Sequence, residues 1–249
     1  MIFVDSFRDY LANFKAALSF VLLLILAFVL VQLSNSFVSA GSILADYGFI
    51  KSMPAELAAL AATTLVFLFF YSIFVTLIVF AVRRELSTVK VNYYLREKIR
   101  LFAFKYFRFL LVFTFIAAVG ASLLVNAGVS EAIASLVIFV FSLLFLFLPQ
   151  AIVIDEEGVR ASILNNLEFM YKNPLAVLEL LVTGFVLVFI LLVLEFLLDL
   201  FFSIGAYAAL LISLVFLIPF LEVLKTELYM RKFTLITGSR RMELLAARH

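Results

Sequence analysis

The sequence predicts an all-α, polytopic integral membrane protein of six transmembrane helices, and three observations predict it. Of its 249 residues 66% are hydrophobic and 14% charged, with a mean hydropathy of +1.23, whereas about a quarter of a soluble domain is charged. The apolar residues fall into six runs, 16 to 37, 54 to 82, 103 to 126, 132 to 153, 174 to 204 and 206 to 224. Each approaches or exceeds the roughly 20 residues needed to cross a hydrocarbon core. Lys and Arg gather in alternate connections: Arg8, Lys15, the cluster from Arg83 to Arg108, Arg160, Lys172 and the tail from Lys225 on one side, Lys51 alone on the other.

Taken in order, the first run is read as a span rather than a cleaved signal, although "FVSAG" at 37 to 41 has the small residues of a cleavage site. Its apolar region exceeds the usual length, and Asp5 and Asp9 precede it beside Arg8 and Lys15. With six spans both termini share the basic side, which the positive-inside rule assigns to the cytoplasm of a cell membrane. Tyr10, Tyr47, Tyr93, Tyr94, Tyr106, Tyr171, Tyr207 and Tyr229 lie near predicted span ends, as an interfacial aromatic belt requires.

The polar stretch between spans four and five, "LPQAIVIDEEGVRASILNNLEFMYKNP" at 148 to 174, contains an amphipathic helix. Ile163, Leu164, Leu167, Met170 and Tyr171 recur at helical spacing, with Arg160, Asn165, Asn166, Glu168 and Lys172 turned away. Asp155 is its expected N-cap, Glu156 and Glu157 fall in its first turn, and Asn173-Pro174 breaks it from the next span. Similar charged leads precede spans one and three, at 7 to 24 and 96 to 113, each with an aromatic-cation pair: Phe14-Lys15 and Phe107-Arg108, matching Tyr171-Lys172. The chain therefore reads as one domain, 1 to 249, of three helical hairpins, each led by a cytoplasmic interfacial segment.

Pro149 near the end of span four, Glu157-Gly158, Ala161 and then Asn173 before the next span resemble a six-helix membrane family. That family includes YciC-type proteins and the membrane domain of some glycerophosphodiester phosphodiesterases. A serine common in the middle of its helix stands here as Asn166. The resemblance implies a fold over nearly the whole chain and no activity, since no phosphodiesterase domain accompanies it.

Small residues in spans two, three and six, among them Ala58, Ala59, Ala62, Ala117, Ala118, Gly120, Ala121, Gly205 and Ala209, lie toward the outer leaflet. Bulky Phe67, Phe69, Phe70, Phe74, Phe104, Phe107, Phe109, Phe145 and Phe147 lie in the cytoplasmic half. Small residues allow close helix approach, so the expected bundle is tight outside and splayed inside.

Chemistry is narrowly bounded. There is no cysteine, and the one histidine is His249, so thiol, disulfide, His-based and most metal chemistry is excluded. "EEGVR" at 156 to 160 is one residue short of the EExxxR of intramembrane CAAX-type proteases, whose histidines are missing, and no hydrolase, P-loop or phosphatidyltransferase signature occurs. No catalytic, cofactor or metal residues are assigned.

Acids inside spans are costly and mark functional paths by default. Glu179 and Glu195 bracket a charge-free run of span five, Asp199 follows Glu195 by one turn, and Glu222 lies one turn from Lys225 just after Pro219. Glu179, Glu222 and Asn166, with Arg83, Arg84 and Arg160 at the headgroup level, form the candidate lipid or solute site. The expected function is a non-enzymatic membrane protein, without cofactor, that binds anionic lipid headgroups or organises a membrane protein partner, with no nucleic acid. The alternative is a transporter or permease component for a small or amphiphilic solute, since transporters break spans near their sites.

Overall fold

Inside a bilayer an apolar run can satisfy its own backbone groups only as a helix, and six helices long and apolar enough to cross one are present. They are Phe14–Leu33, Ala58–Arg84, Lys98–Asn126, Glu131–Ile154, Pro174–Phe202 and Gly205–Met230. The structure, a computed structural model, describes residues 2–33, 37–39, 41–44, 54–86 and 95–231. Tyr47, Lys51, Lys90, Tyr93, Tyr94 and the tail at 232 to 249 lie outside the described residues.

α1 (Ile2–Ala12) and α2 (Phe14–Leu18) lead into α3 (Val21–Leu33), the body of span one. α4 (Pro54–Leu86) and α5 (Leu95–Asn126) carry spans two and three. Span four is divided into α6 (Glu131–Leu143) and α7 (Leu148–Ile154) and is followed by α8 (Val159–Lys172). α9 (Pro174–Phe202) is span five; α10 (Gly205–Ile212), a π turn at Ser213–Leu217 and α11 (Ile218–Met230) make span six. Asn173 and Pro174 separate α8 from α9 at the expected break.

Among the described residues the helical fold has one addition, a ladder of β1 (Phe37–Ser39) paired antiparallel with β2 (Ser42–Leu44). Gly41 between them has φ +70°, and a Cβ there would lie 2.5 Å from the Ser213 Cβ and 2.8 Å from the Ala209 carbonyl oxygen. Only glycine lets this tip rest on span six. Strands of three residues carry too little periodicity to be read from sequence.

Spans two, four and six end together. Arg83 donates to the Val153 carbonyl at 2.7 Å, and the Tyr229 hydroxyl donates to Asp155 at 2.5 Å. Arg83, Arg84, Lys98 and Arg160 mark this basic end. The core lies beside it: Phe74, Val75, Ile78, Val79 and Val82 of α4, every residue of α7, and Phe220, Val223, Leu224 and Tyr229 of α11 are buried.

The packing does not divide into the expected tight outer and splayed inner half, and Phe69, Phe70 and Phe104 are exposed. Ala58, Ala59 and Ala62 are exposed, although Ala121, Gly205 and Ala209 are buried, whereas Phe74 and Phe147 sit in the core. Phe147, Phe169 and Tyr229 pack with ring centroids 4.7 to 6.3 Å apart. Phe109, Phe113, Phe141 and Phe145 interlock spans three and four. Small residues permit close approach but do not compel it, while rings that meet edge to face fill an interior densely.

Candidate functional site

Two spans are interrupted where they enter the core, and both interruptions precede a proline. Pro149 lacks the N–H that would bond four residues back. Leu144, Phe145, Leu146 and Leu148 accordingly bond three residues back. Asn166 of α8 completes the break: its Oδ1 accepts from the Phe147 N–H at 2.8 Å and its Nδ2 donates to the Leu144 carbonyl at 2.6 Å. In span six Pro219 lacks the N–H that would reach Val215. The turn widens to π over Ser213–Leu217, and the Tyr10 hydroxyl donates to the Val215 carbonyl at 3.0 Å. Burial of Tyr10 raises its hydroxyl pKa, which keeps that donor protonated.

Just past both breaks lies a buried polar junction. Glu222 is 3% exposed and forms an ion pair with Lys225 of the next turn. Gln150 of α7 donates through Nε2 to the second Glu222 oxygen at 2.9 Å, with Thr226 at 3.5 Å from the same nitrogen. Thr226 also donates to the Glu222 carbonyl at 2.7 Å. A carboxylate in so apolar a place persists only because it is both paired and hydrogen-bonded.

Nearer the basic end a second polar group ties three spans together. Glu156 takes φ +59° and accepts from Arg83 of α4 at 3.0 Å and from Lys98 of α5. Partial burial alone would raise its pKa; hydrogen bonds and charge from Lys98 and Arg83 outweigh that and hold it below the ordinary carboxylate value. Asp155 accepts from Asn165 at 3.0 Å as well as from Tyr229, and Lys105 donates to the Glu157 carbonyl at 2.8 Å. Asp155 is therefore not the N-cap of α8. It caps the C-terminus of α7, Gly158 holds the N-cap position, and Glu156 and Glu157 precede the first turn. Glu156 is drawn out of the helix by the cations Arg83 and Lys98 of spans two and three, whereas the Asp155 carboxylate turns to Tyr229 and Asn165.

Of the residues expected to line one site, Glu222 is at the junction, while Asn166 bonds the break in span four. Asn166 does not face away from the bundle as its helical position suggested; it is buried with Ser162 and Phe169. Arg83 is committed to Val153 and Glu156, whereas Arg84 and Arg160 are exposed and pair with no described residue. Glu179 is half-buried and bonds to no described residue. Asp199 accepts from the Gly205 N–H at 2.6 Å, capping α10, while Glu195 lies half-buried at the same corner, where a Cβ on Gly205 would collide with the Glu195 carbonyl oxygen. Gln150, Lys225, Thr226, Tyr229 and Lys98 were not among the expected site residues. Gln150 did carry a signal, being one of two glutamines in the chain and next to a proline inside an apolar run.

Among the described residues no group of three or more acids or histidines is arranged to hold a metal. The arrangement offers polar anchoring within a packed interior, plus exposed cations at one end. No protein-family model, curated protein or solved structure matches the chain.

Proposed function

We propose that this is a non-enzymatic integral membrane protein that binds anionic lipid headgroups at its basic end or organises a membrane partner there. The observation that carries the reading is the outer face of α8. Ser162, Asn166 and Phe169 face inward, so Leu164 and Tyr171, 64% and 88% exposed, point outward on a helix that also carries Arg160 and Lys172. Apolar and basic side chains sharing an exposed face suit a helix lying in the headgroup plane. In this reading the chain comprises three hairpins led by amphipathic segments, with both termini in the cytoplasm, and kinship with the YciC-type family rests on Pro149, Glu157, Gly158, Ala161 and Asn173.

Polar groups of the junction support the non-enzymatic part. Glu222, Lys225, Thr226 and Asn166 are engaged with the protein's own groups, which suits anchoring better than turnover. The paired breaks in spans four and six favour a second reading, a transporter component, because unwound spans place polar backbone at transport sites. Native mass spectrometry of protein purified with phosphatidylglycerol distinguishes them. Retained lipid in the wild type, lost on combined Arg84→Ala and Arg160→Ala substitution, supports headgroup binding. A lipid-free wild type would exclude it, and saturable solute flux in proteoliposomes would establish the second reading.

A further inference from the structure

The chain turns back into the bundle after it leaves span one. Span one runs antiparallel to span six: Tyr10 packs against Phe216 and Phe220, and further along Phe28 packs against Tyr207 with ring centroids 5.6 Å apart. Continued at about 1.5 Å per residue, the helix carries Leu33 roughly 7 Å beyond Tyr207, toward the end where span six begins at Gly205. The hairpin that follows does not stay there. Gly41 is buried against Ser213 and Ala209 of span six and Leu191 of span five. Ser213 lies about 9 Å from Tyr207 in the opposite direction, and Leu191 about 16 Å short of the end of span five at Phe202. Spans five and six thus both place the hairpin tip deeper than the Phe28 ring, although it comes after the end of span one.

Such a depth restricts what can surround the hairpin. A two-stranded ladder has an outer edge on each strand, and non-helical backbone at membrane depth is tolerated only inside protein or beside water. One face of this ladder meets protein, since Val38 packs against the core and Gly41 is buried. The other carries Ser42, which is exposed and pairs across the ladder with half-buried Ser39. Hydroxyls where hydrocarbon would favour apolar side chains mark a face turned to water. Beneath the tip lies the break in span six. Ser213 opens the π turn and is 4% exposed, and its Cβ is the nearest atom to the place a Gly41 Cβ would occupy.

We propose that Phe37–Ser39 and Ser42–Leu44 form a re-entrant plug, which enters the membrane-spanning region from the end opposite Arg83. It keeps water off the π turn of span six while its Ser39–Ser42 face stays wet. The seat depends on Gly41, because a side chain there would meet Ser213, Leu191 and the Ala209 carbonyl. This inference is independent of headgroup binding, which concerns the basic end.

The chain contains no cysteine, so a single replacement gives each variant one thiol. Ser42→Cys, Ser213→Cys and Phe189→Cys are placed in lipid nanodiscs and treated with a charged, membrane-impermeant methanethiosulfonate, with labelling in SDS as the total. Phe189, exposed and nearly opposite Leu191 on α9, is the lipid-facing reference at similar depth. Only a thiol that meets water ionises and reacts. Ser42→Cys should label to completion, while Phe189→Cys and Ser213→Cys stay unlabelled. In a Gly41→Val background Ser213→Cys should become labelled and Phe189→Cys should not. Ala151→Cys, buried in α7, monitors the fold: it stays unlabelled if valine unseats only the hairpin, and Gly41→Ala repeats the comparison if it does not. Ser42→Cys as protected as Phe189→Cys would mean that no water reaches the hairpin, and labelling of both would put its tip at the membrane surface. Either result overturns the proposal, as does a Ser213→Cys thiol labelled before Gly41 is changed or protected afterwards.

Discussion

Spans two, four and six and spans three and five are written in the same alphabet of Leu, Phe, Val and Ile, yet they have opposite structural roles. The first set is 44%, 44% and 50% buried, whereas spans three and five are 6% and 11% buried. The buried set contains both helix breaks, the Glu222–Lys225 pair, Gln150 and Thr226. α5 and α9 run unbroken for 32 and 29 residues. A helix facing lipid must close its own backbone hydrogen bonds, because hydrocarbon offers no substitute. One enclosed by protein can open, provided a neighbour supplies the missing partner, as Asn166 does for span four and Tyr10 for span six.

This contrast is most sharply tested on acids. Glu222→Ala leaves Lys225 as an uncompensated buried charge and deprives Gln150 of its acceptor, so the fold should lose about 3–5 kcal/mol. Glu179→Ala on the peripheral fifth span should change stability by no more than about 0.5 kcal/mol. Urea unfolding of both variants in a common detergent compares them; equal losses would erase the distinction between the two sets of spans.

A smaller effect is expected at the break itself. Asn166→Leu keeps the branched shape but strands the Phe147 N–H and the Leu144 carbonyl, at a cost of about 1–3 kcal/mol. Hydrogen exchange at Phe147 should accelerate in the variant while the α9 amides remain as slow as before. Unchanged protection at Phe147 would mean that the break does not depend on its side-chain partner.

Smallest is the pH dependence of the Glu156 contacts. Because its folded pKa lies below the ordinary value of 4.5, the stability it contributes is present above that pH and is lost as pH falls through the lower folded value. Its side chain is 29% exposed, so water screens the gain and the effect is modest. Thermal unfolding of Glu156→Gln and the wild type should differ near neutrality and converge in acid. A gap that widens with acid would reverse the sign of the linkage.

How much of this was legible beforehand follows from the range of each interaction. The six runs and the Asn173-Pro174 boundary depend on nearest neighbours and on the cost of polar atoms in hydrocarbon, both written locally in the chain. Pro149 and Pro219 advertise lost backbone bonds for the same reason, although the breaks fall inside the spans rather than at their ends. Asn166 could not be read this way. Its place on α8 suggested solvent, and only the approach of span four, about 20 residues earlier in the chain, supplied the backbone groups that draw it inward.

Composition by itself determined that the chain is helical and membrane-spanning, since 66% apolar residues in runs of bilayer length leave the backbone no other way to satisfy its hydrogen bonds. Which spans form the core was decided only in three dimensions. Leu and Phe are equally at home against lipid and against one another, so hydropathy cannot rank α4, α7 and α11 above α5 and α9. That ranking comes from complementary shape and from hydrogen bonds between residues far apart in the chain, such as Gln150 with Glu222 and Tyr10 with Val215. Such bonds exist only once the helices have met.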